Sequence, residues 1–338
     1  MFIRWPLLSK NWILQSIRNM NSLNYQDKNR LTADKYSPLV SVIIPVFNHA
    51  QNLKICLEAL ENQTYPKHFY EVIVVDNGSD QDEDIEGVVA QFGQAIATSE
   101  SLPGSYAARN KGISLAKGEV IAFTDADCIP ASDWIEKGVK NLLQVPNCGL
   151  VAGKVEVFLK DPNRATPVEL YESIMALPQK EFLEKHKYGA TANVFTFRSV
   201  IEKVGLFDAT LKSSGDAEWG QRVYSFGYQQ IYADDTRVAH PARYSFAQLY
   251  KRTIRLAGGF FDLQIKKQSS NLRQNILFLE NLVKNLIPPL MWVGSAFLDA
   301  RLKNFDEKIK VAFVMFFIRY TYAWELIRLR FGGVSARE

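Results

Sequence analysis

Cysteine is scarce in this chain: Cys56, Cys128 and Cys148 are the only three in 338 residues. None has a partner at the short spacing of a zinc site, and three thiols build no disulfide framework, so they read as free thiols in a reducing compartment. A glycine-rich phosphate loop is also missing. No G-x-G-x-x-G follows a strand, which excludes a Rossmann dehydrogenase. The first strand runs instead into Asn48-His49-Ala50, without the glycine- and lysine-rich loop a nucleotidyltransferase would need. Long apolar runs are absent as well. Leu286 to Leu298 is broken by Pro288-Pro289, and Val311 to Ile327 carries Arg319 and Glu325, so neither reaches the roughly 18 to 20 apolar residues of a spanning helix. Two readings stand for them: interfacial or re-entrant helices, or a helical cap on a sheet. Met1 to Leu31 lacks a long apolar core and a small-residue cleavage site, which reads as no signal peptide. There is no internal repeat and no low-complexity tract.

What is present is a globular composition, 47% hydrophobic and 22% charged, with enough apolar residues for a sizeable core. Charge is unevenly spread. Between Pro241 and Glu338, 16 Lys and Arg face 7 Asp and Glu, a balance of +9; the whole chain carries +4, so the first 240 residues carry −5. An acidic front half suits a site built from carboxylates. A basic, aromatic-rich tail suits either an anionic membrane surface or plain solubilisation of helices. No base-reading motif accompanies the basic residues, so no nucleic acid is expected as a partner.

The front half alternates strands and helices. Val40-Ser-Val-Ile-Ile-Pro45 is a β-branched run ended by proline. Asn52 to Asn62 has apolar residues at Leu53, Cys56, Leu57 and Leu60, the i, i+3, i+4, i+7 pattern of a helix, and Glu71 to Val75 is a second buried strand. Ala107 to Lys117 reads as a helix with Gly118 as C-cap, Glu119 to Thr124 as a strand, and Ser132 to Leu143 as a helix capped by Ser132. Gly149 to Phe158 is β-rich. Helical segments are expected at Ser199 to Val204 and Ala217 to Phe226, with a strand at Gln230 to Tyr232. Continuous apolar strands joined by helices predict an α/β fold with a mostly parallel central sheet flanked by helices.

Ligands of such sheets collect at the carboxyl ends of the strands. Here all three front-half strands end in polar residues: Asn48 and His49, Asp76 and Asn77, Asp125 and Asp127. Side chains two apart on an extended segment point the same way, so Asp125 and Asp127 can face one ligand. Two like charges so placed need a cation or donors to offset them, and a hard divalent ion such as Mg²⁺ or Mn²⁺ favours oxygen ligands. The alternative is an acidic turn that caps the next helix. Asp216 likewise has two readings, a reactive carboxylate or an N-cap for a helix beginning near Ala217.

The ordered motifs resemble glycosyltransferase family 2, whose members share the glycosyltransferase-A fold. They are Val42-Ile-Ile-Pro-Val-Phe-Asn48, Val75-Asp-Asn-Gly-Ser79, Gly104-Ser-Tyr-Ala-Ala-Arg-Asn-Lys-Gly112, Asp125-Ala-Asp127, Gly205-Leu-Phe-Asp208 and Gly215-Asp-Ala-Glu-Trp219. The resemblance implies that Pro45, Val46, Asn48 and Asp76 line a nucleoside pocket and that Arg109 contacts the nucleotide. It puts Asp125 near ribose and metal, and makes Asp127, with Asp125 and His240, the metal ligands for Mn²⁺ or Mg²⁺. Asp216 would be the base of an inverting transfer, and Asn193, Glu218 and Trp219 the acceptor side. The family pattern has an acidic pair at the Asp216 motif, whereas this chain has Gly215 in the first place. Lys251-Arg-Thr-Ile-Arg255 could reach phosphates but lacks the glutamine-arginine-tryptophan signature of processive synthases, which favours single-sugar transfer.

The resulting expectation is an N-terminal amphipathic segment over 1–36, a catalytic domain over 37–245 and a helical, basic and aromatic region over 246–338. The enzyme would move one sugar from a nucleoside-diphosphate donor, uridine for preference, to a glycan or lipid-linked acceptor. It would work in the cytoplasm, with peripheral contact at the cytoplasmic face of a membrane. The competing readings are a sugar nucleotidyltransferase and a non-catalytic scaffold of the same fold.

Overall fold

The computed structural model describes residues 37–266 and 268–337; the expected amphipathic segment over 1–36 lies outside the described residues. One eight-stranded sheet organises the chain, in the order β3-β2-β1-β4-β7-β6-β8-β5. Its first half is parallel: β1 (Val40–Val46) lies between β2 (Tyr70–Asp76) and β4 (Val120–Thr124), and β3 (Ala95–Ser99) extends the edge. In the second half β7 (Asn193–Phe197) runs antiparallel to both β4 and β6 (Cys148–Phe158). Parallel pairing returns between β6 and β8 (Gln229–Pro241), and the short β5 (Ile129–Pro130) closes the far edge antiparallel to β8. The sheet is thus mostly parallel, as expected, with its antiparallel pairs in the second half.

The central strands β1, β2 and β4 are largely apolar because both their faces are covered. Val42, Ile44, Val72, Val74, Val120 and Ala122 point to one face, packed by Leu53, Cys56, Leu57 and Leu60 of α1 (Ala50–Glu61) and by Trp134, Ile135 and Leu142 of α4 (Trp134–Gln144). The alternate residues Ile43, Ile73, Val75, Ile121 and Phe123 point to the other. There they meet α3 (Ser105–Leu115), α7 (Arg198–Val204) and α8 (Gly215–Ser225); the short α2 (Ile85–Val89) precedes β3.

Several local expectations need correction. Gly118 is not a C-cap, since α3 ends at Leu115 with Ala116 as its extended cap residue. A Cβ at Gly118 would stand 2.5 Å from Ser41 N and 2.7 Å from Leu39 O, so glycine is needed where this turn crosses the backbone of β1. Asp133, not Ser132, occupies the N-cap position of α4. Helix α8 begins at Gly215 rather than near Ala217, so Asp216 lies inside its first turn and is not its N-cap. β8 is 13 residues long and ends at Pro241, well past the expected Gln230 to Tyr232.

After Pro241 the chain is helical. α9 (Phe246–Phe260) continues into a π-helical segment (Phe261–Lys266), followed by α10 (Asn271–Leu286), α11 (Leu290–Leu298) and α12 (Phe305–Arg330). These pack on α5 (Pro167–Met175), which with α6 (Gln179–His186) precedes β7; Val168 and Leu170 of α5 meet Leu249, Val311, Val314 and Met315. Glu172, 1% exposed, anchors the junction by pairing with Arg243 at 2.9 Å and Arg252 at 3.8 Å. Burying that carboxylate is sustainable only because two guanidiniums face it. Among the described residues no single helix is long and apolar enough to cross a membrane, although α10 and α11, bent by 46° at Pro288-Pro289, are together long and apolar enough.

Candidate active site

The parallel half of the sheet delivers its polar strand ends to one side. At the end of β2, Asp76 accepts from Ser79 N at 3.0 Å and Ser79 Oγ at 2.6 Å, both on Oδ1. Oδ2 takes no bond from the described residues, which leaves an acceptor for a donor group of a ligand. Asn48, in a left-handed conformation at φ 55°, exchanges two hydrogen bonds with Asp80 and thereby shapes the loop after β2. Val46, expected in the nucleoside pocket, is 3% exposed with its side chain in the core, and its carbonyl accepts from Asn77 N. Pro45 is half-buried beside it.

Asp125 and Asp127 follow β4 and diverge in their partners. Asp125 Oδ1 accepts from Arg109 Nη2 at 2.6 Å. Arg109 itself is 3% exposed, with its guanidinium 5.8 Å from the Tyr106 ring centroid. Arg109, expected to contact a nucleotide, holds Asp125, and Asp125 is the more exposed of the two.

Asp127 faces the end of β8 instead. Its Oδ2 lies 3.6 Å from His240 Nε2, and Cys128 Sγ falls within 4.8 Å of both donor atoms. His240 Nδ1 is 2.8 Å from Pro241 O. A carbonyl only accepts, so Nδ1 carries a proton and the ring is fixed with its Nε2 edge towards Asp127; a second hydrogen bond of this kind is how metal-binding histidines are oriented. A carboxylate oxygen and an imidazole nitrogen at this spacing are a donor pair that fits a divalent metal ion. Cys128 was missed as a neighbour. Its thiol donates to Ala192 O at 3.9 Å, and burial, with Asp127 and Asp125 adding to it, pushes its pKa well up, so it stands there as a neutral group.

Asp216 comes from the first turn of α8. Its Oδ1 accepts from Ala217 N at 2.9 Å and lies 3.4 Å from the Tyr106 hydroxyl. Burial raises its pKa above the usual aspartate range, opposed chiefly by the positive charge of Arg109 and reinforced by Asp125. The glycine before it also has a physical reason. A Cβ at Gly215 would sit 2.7 Å from the Tyr106 ring, so the acidic residue of the family pattern cannot be accommodated without moving that tyrosine. Tyr106 is the residue that sequence reasoning passed over; it lay inside a quoted motif, but only packing shows it beside Asp216.

The expected acceptor residues are differently placed. Asn193 is fully buried: its Oδ1 accepts from Trp134 Nε1 at 2.9 Å, and its Nδ2 donates to Lys154 O and Thr236 O. Trp219 is 1% exposed, donates to Gly205 O at 3.0 Å and packs on Phe207. Both, expected on the acceptor side, are buried in the framework with their polar groups bonded within the fold. Glu218 is held by Arg222 through two bonds of 2.8 and 2.9 Å.

Known proteins resemble this chain in sequence and in fold. Residues 41–205 match glycosyl transferase family 2. The chain is 43% identical over 227 residues to glycosyltransferase AglE of Haloferax volcanii, covering 66% of this chain and 73% of that one. It is 28% identical over 211 residues to the pre-mycofactocin glycosyltransferase of Mycobacterium tuberculosis, covering 60% of this chain and 43% of the relative. Among solved structures, mannosyltransferase PcManGT of Pyrobaculum calidifontis, in complex with GDP-Man and Mn²⁺, superposes with a TM-score of 0.60 at 19% identity over 94% of both chains. That likeness is one of fold, and it includes the helices after β8.

Proposed function

The chain belongs to glycosyl transferase family 2, and we propose that it transfers a single hexose from a nucleoside-diphosphate sugar to an acceptor hydroxyl with inversion, Asp216 serving as general base. The observation that carries this is a set of carboxylates at the carboxyl end of the parallel strands: Asp76 at the end of β2, Asp125 and Asp127 after β4, with Asp127 beside His240, and the pKa-raised Asp216 within electrostatic reach of Arg109 and Asp125. In this reading Asp76 Oδ2 accepts from the nucleoside. Asp125, fixed by Arg109, faces the ribose.

Asp127 and His240 would hold Mn²⁺, which when bound supplies positive charge for the diphosphate leaving group. Asp216 accepts the proton of the acceptor hydroxyl as its oxygen bonds to the anomeric carbon, while the bond from that carbon to the phosphate oxygen breaks and the nucleoside diphosphate departs. A base in this role works best when its pKa approaches the working pH, which burial of Asp216 favours. Uridine is the base proposed for the donor. The GDP-Man bound by the Pyrobaculum enzyme makes guanosine the competitor to test against it.

For the acceptor we propose a lipid-linked glycan reached from a membrane surface. Helix α10 has no buried residue, and Leu272, Ile276, Leu279, Val283 and Leu286, spaced three and four apart, are all exposed. Such a face, beside a region of +9, suits an anionic interface. The deciding experiment is Asp216→Asn, assayed for transfer and for donor binding. Donor affinity should persist while kcat falls about 10³-fold; transfer at the unaltered rate would remove Asp216 from the role of base.

A further inference from the structure

The segment 333–337 returns from the end of α12 to the catalytic face and touches both halves of the site. It leaves α12 by a turn in which Gly333 N donates to Arg328 O at 2.9 Å, while Arg328, paired with Glu325, donates to Val334 O at 2.6 Å. Ser335 is then buried, 9% exposed, with its hydroxyl donating to Asp262 Oδ2 at 2.6 Å and its backbone packed against Gly258 of α9. Its carbonyl accepts from Lys212 Nζ at 2.8 Å. Finally Arg337 donates through Nη1 to Pro103 O and lies over Gly104.

The two points reached are not arbitrary. Pro103 and Gly104 close the loop into α3, whose first residues include Tyr106 and Arg109, the neighbours of Asp216 and Asp125. The inner side of that loop is already held by Asn77, which donates to Glu100 O and Leu102 O and accepts from Gly104 N at 2.5 Å. Arg337 holds the same loop from outside. Lys212 stands four residues before Asp216, on the loop whose Ser214 adopts φ 63° and whose Gly215 abuts the Tyr106 ring. One short strand of chain thus ties the donor-side loop to the base-side loop.

We propose that residues 333–337 act as a positioning strap for sugar transfer, with Arg337 setting the donor-side loop over 100–104 and Ser335, through Lys212, setting the loop that carries Asp216. The inference rests on the glycosyltransferase reading of the site. It assigns the strap two separable effects, because the two anchors serve different substrates. Losing Arg337 frees the loop that leads to the nucleotide side; losing the whole strap also frees the base. Small displacements of reacting groups cost rate steeply.

The test compares the full chain with Arg337→Ala, Arg337→Lys and a chain ending at Gly333, by hydrogen–deuterium exchange and by steady-state transfer kinetics. In Arg337→Ala, exchange should rise over 100–108 and the donor KM should increase about tenfold with kcat little changed, and Arg337→Lys should recover most of the KM. In the shortened chain exchange should rise over 210–217 as well, and kcat should fall about tenfold or more while the acceptor KM holds. Unchanged exchange over both segments would overturn the strap. So would raised exchange or a lower Tm with wild-type KM and kcat, since the segment would then serve stability alone. Exchange is read without any substrate, so loss of protection in both loops together with no transfer by the full chain would count against the proposed function and not against the tie.

Discussion

Asp216 is where residue chemistry and stability meet. Burial raises its pKa, so the folded state holds this proton more tightly than the unfolded chain does. Its contribution to stability is complete below the ordinary aspartate value and is lost as pH rises through the raised folded value. Above that point the native state carries a partly buried charge that Arg109 only partly offsets. Asp216→Asn should therefore match the parent in Tm under acid conditions and exceed it near neutrality, while its kcat is down about 10³-fold; a lower Tm at neutral pH would contradict the assigned cause. The same shift places the acid limb of kcat/KM above the usual aspartate range, and that limb should vanish with the residual activity of the variant. The carboxylates were legible in sequence because each ends a strand or lies in an ordered motif. Their partners were not: nothing in the order of residues says that Arg109 pairs with Asp125, or that Asp127 looks across to His240 at the end of β8.

At the scale of elements, the parallel half was readable since β1, β2 and β4 are unbroken apolar runs, which only a doubly covered sheet demands. β3 and β7 escaped notice for physical reasons. Ala95-Ile-Ala-Thr-Ser99 is an edge strand with two of its five residues half-buried and the rest exposed, so it lacks the apolar signature. Asn193-Val-Phe-Thr-Phe197 begins with an asparagine whose buried bonds only the tertiary fold supplies. The same tertiary pressure explains Gly118. Its substitution by alanine forces a methyl group onto the backbone of Ser41 and Leu39, which cannot rotate away as a side chain would. Gly118→Ala should lower unfolding free energy by about 2 kcal/mol in urea titration, at the junction between α3 and β4, without altering the slope of the transition. A neutral result would mean that the turn relaxes freely and that the close approach is not what fixes glycine there.

For the whole molecule, the sheet and the helices after β8 form a unit through Glu172 with Arg243 and Arg252, while α10 keeps its apolar face outward. Leu279 and Val283 of that face are each 54% exposed. Replacing both by glutamate should cut co-sedimentation with anionic vesicles about tenfold or more, and leave transfer to a water-soluble acceptor unchanged; undiminished vesicle binding would remove α10 from the membrane contact. The central claim, that Asp127 and His240 hold a metal for a nucleotide-sugar donor, is tested most directly by Tm against a panel of nucleoside diphosphates with and without Mn²⁺, for the parent chain and for Asp127→Ala. The account predicts that one nucleotide, UDP, raises the parent Tm only when Mn²⁺ is present, and that Asp127→Ala abolishes the rise. A shift of equal size without metal, or one that survives in Asp127→Ala, would contradict it.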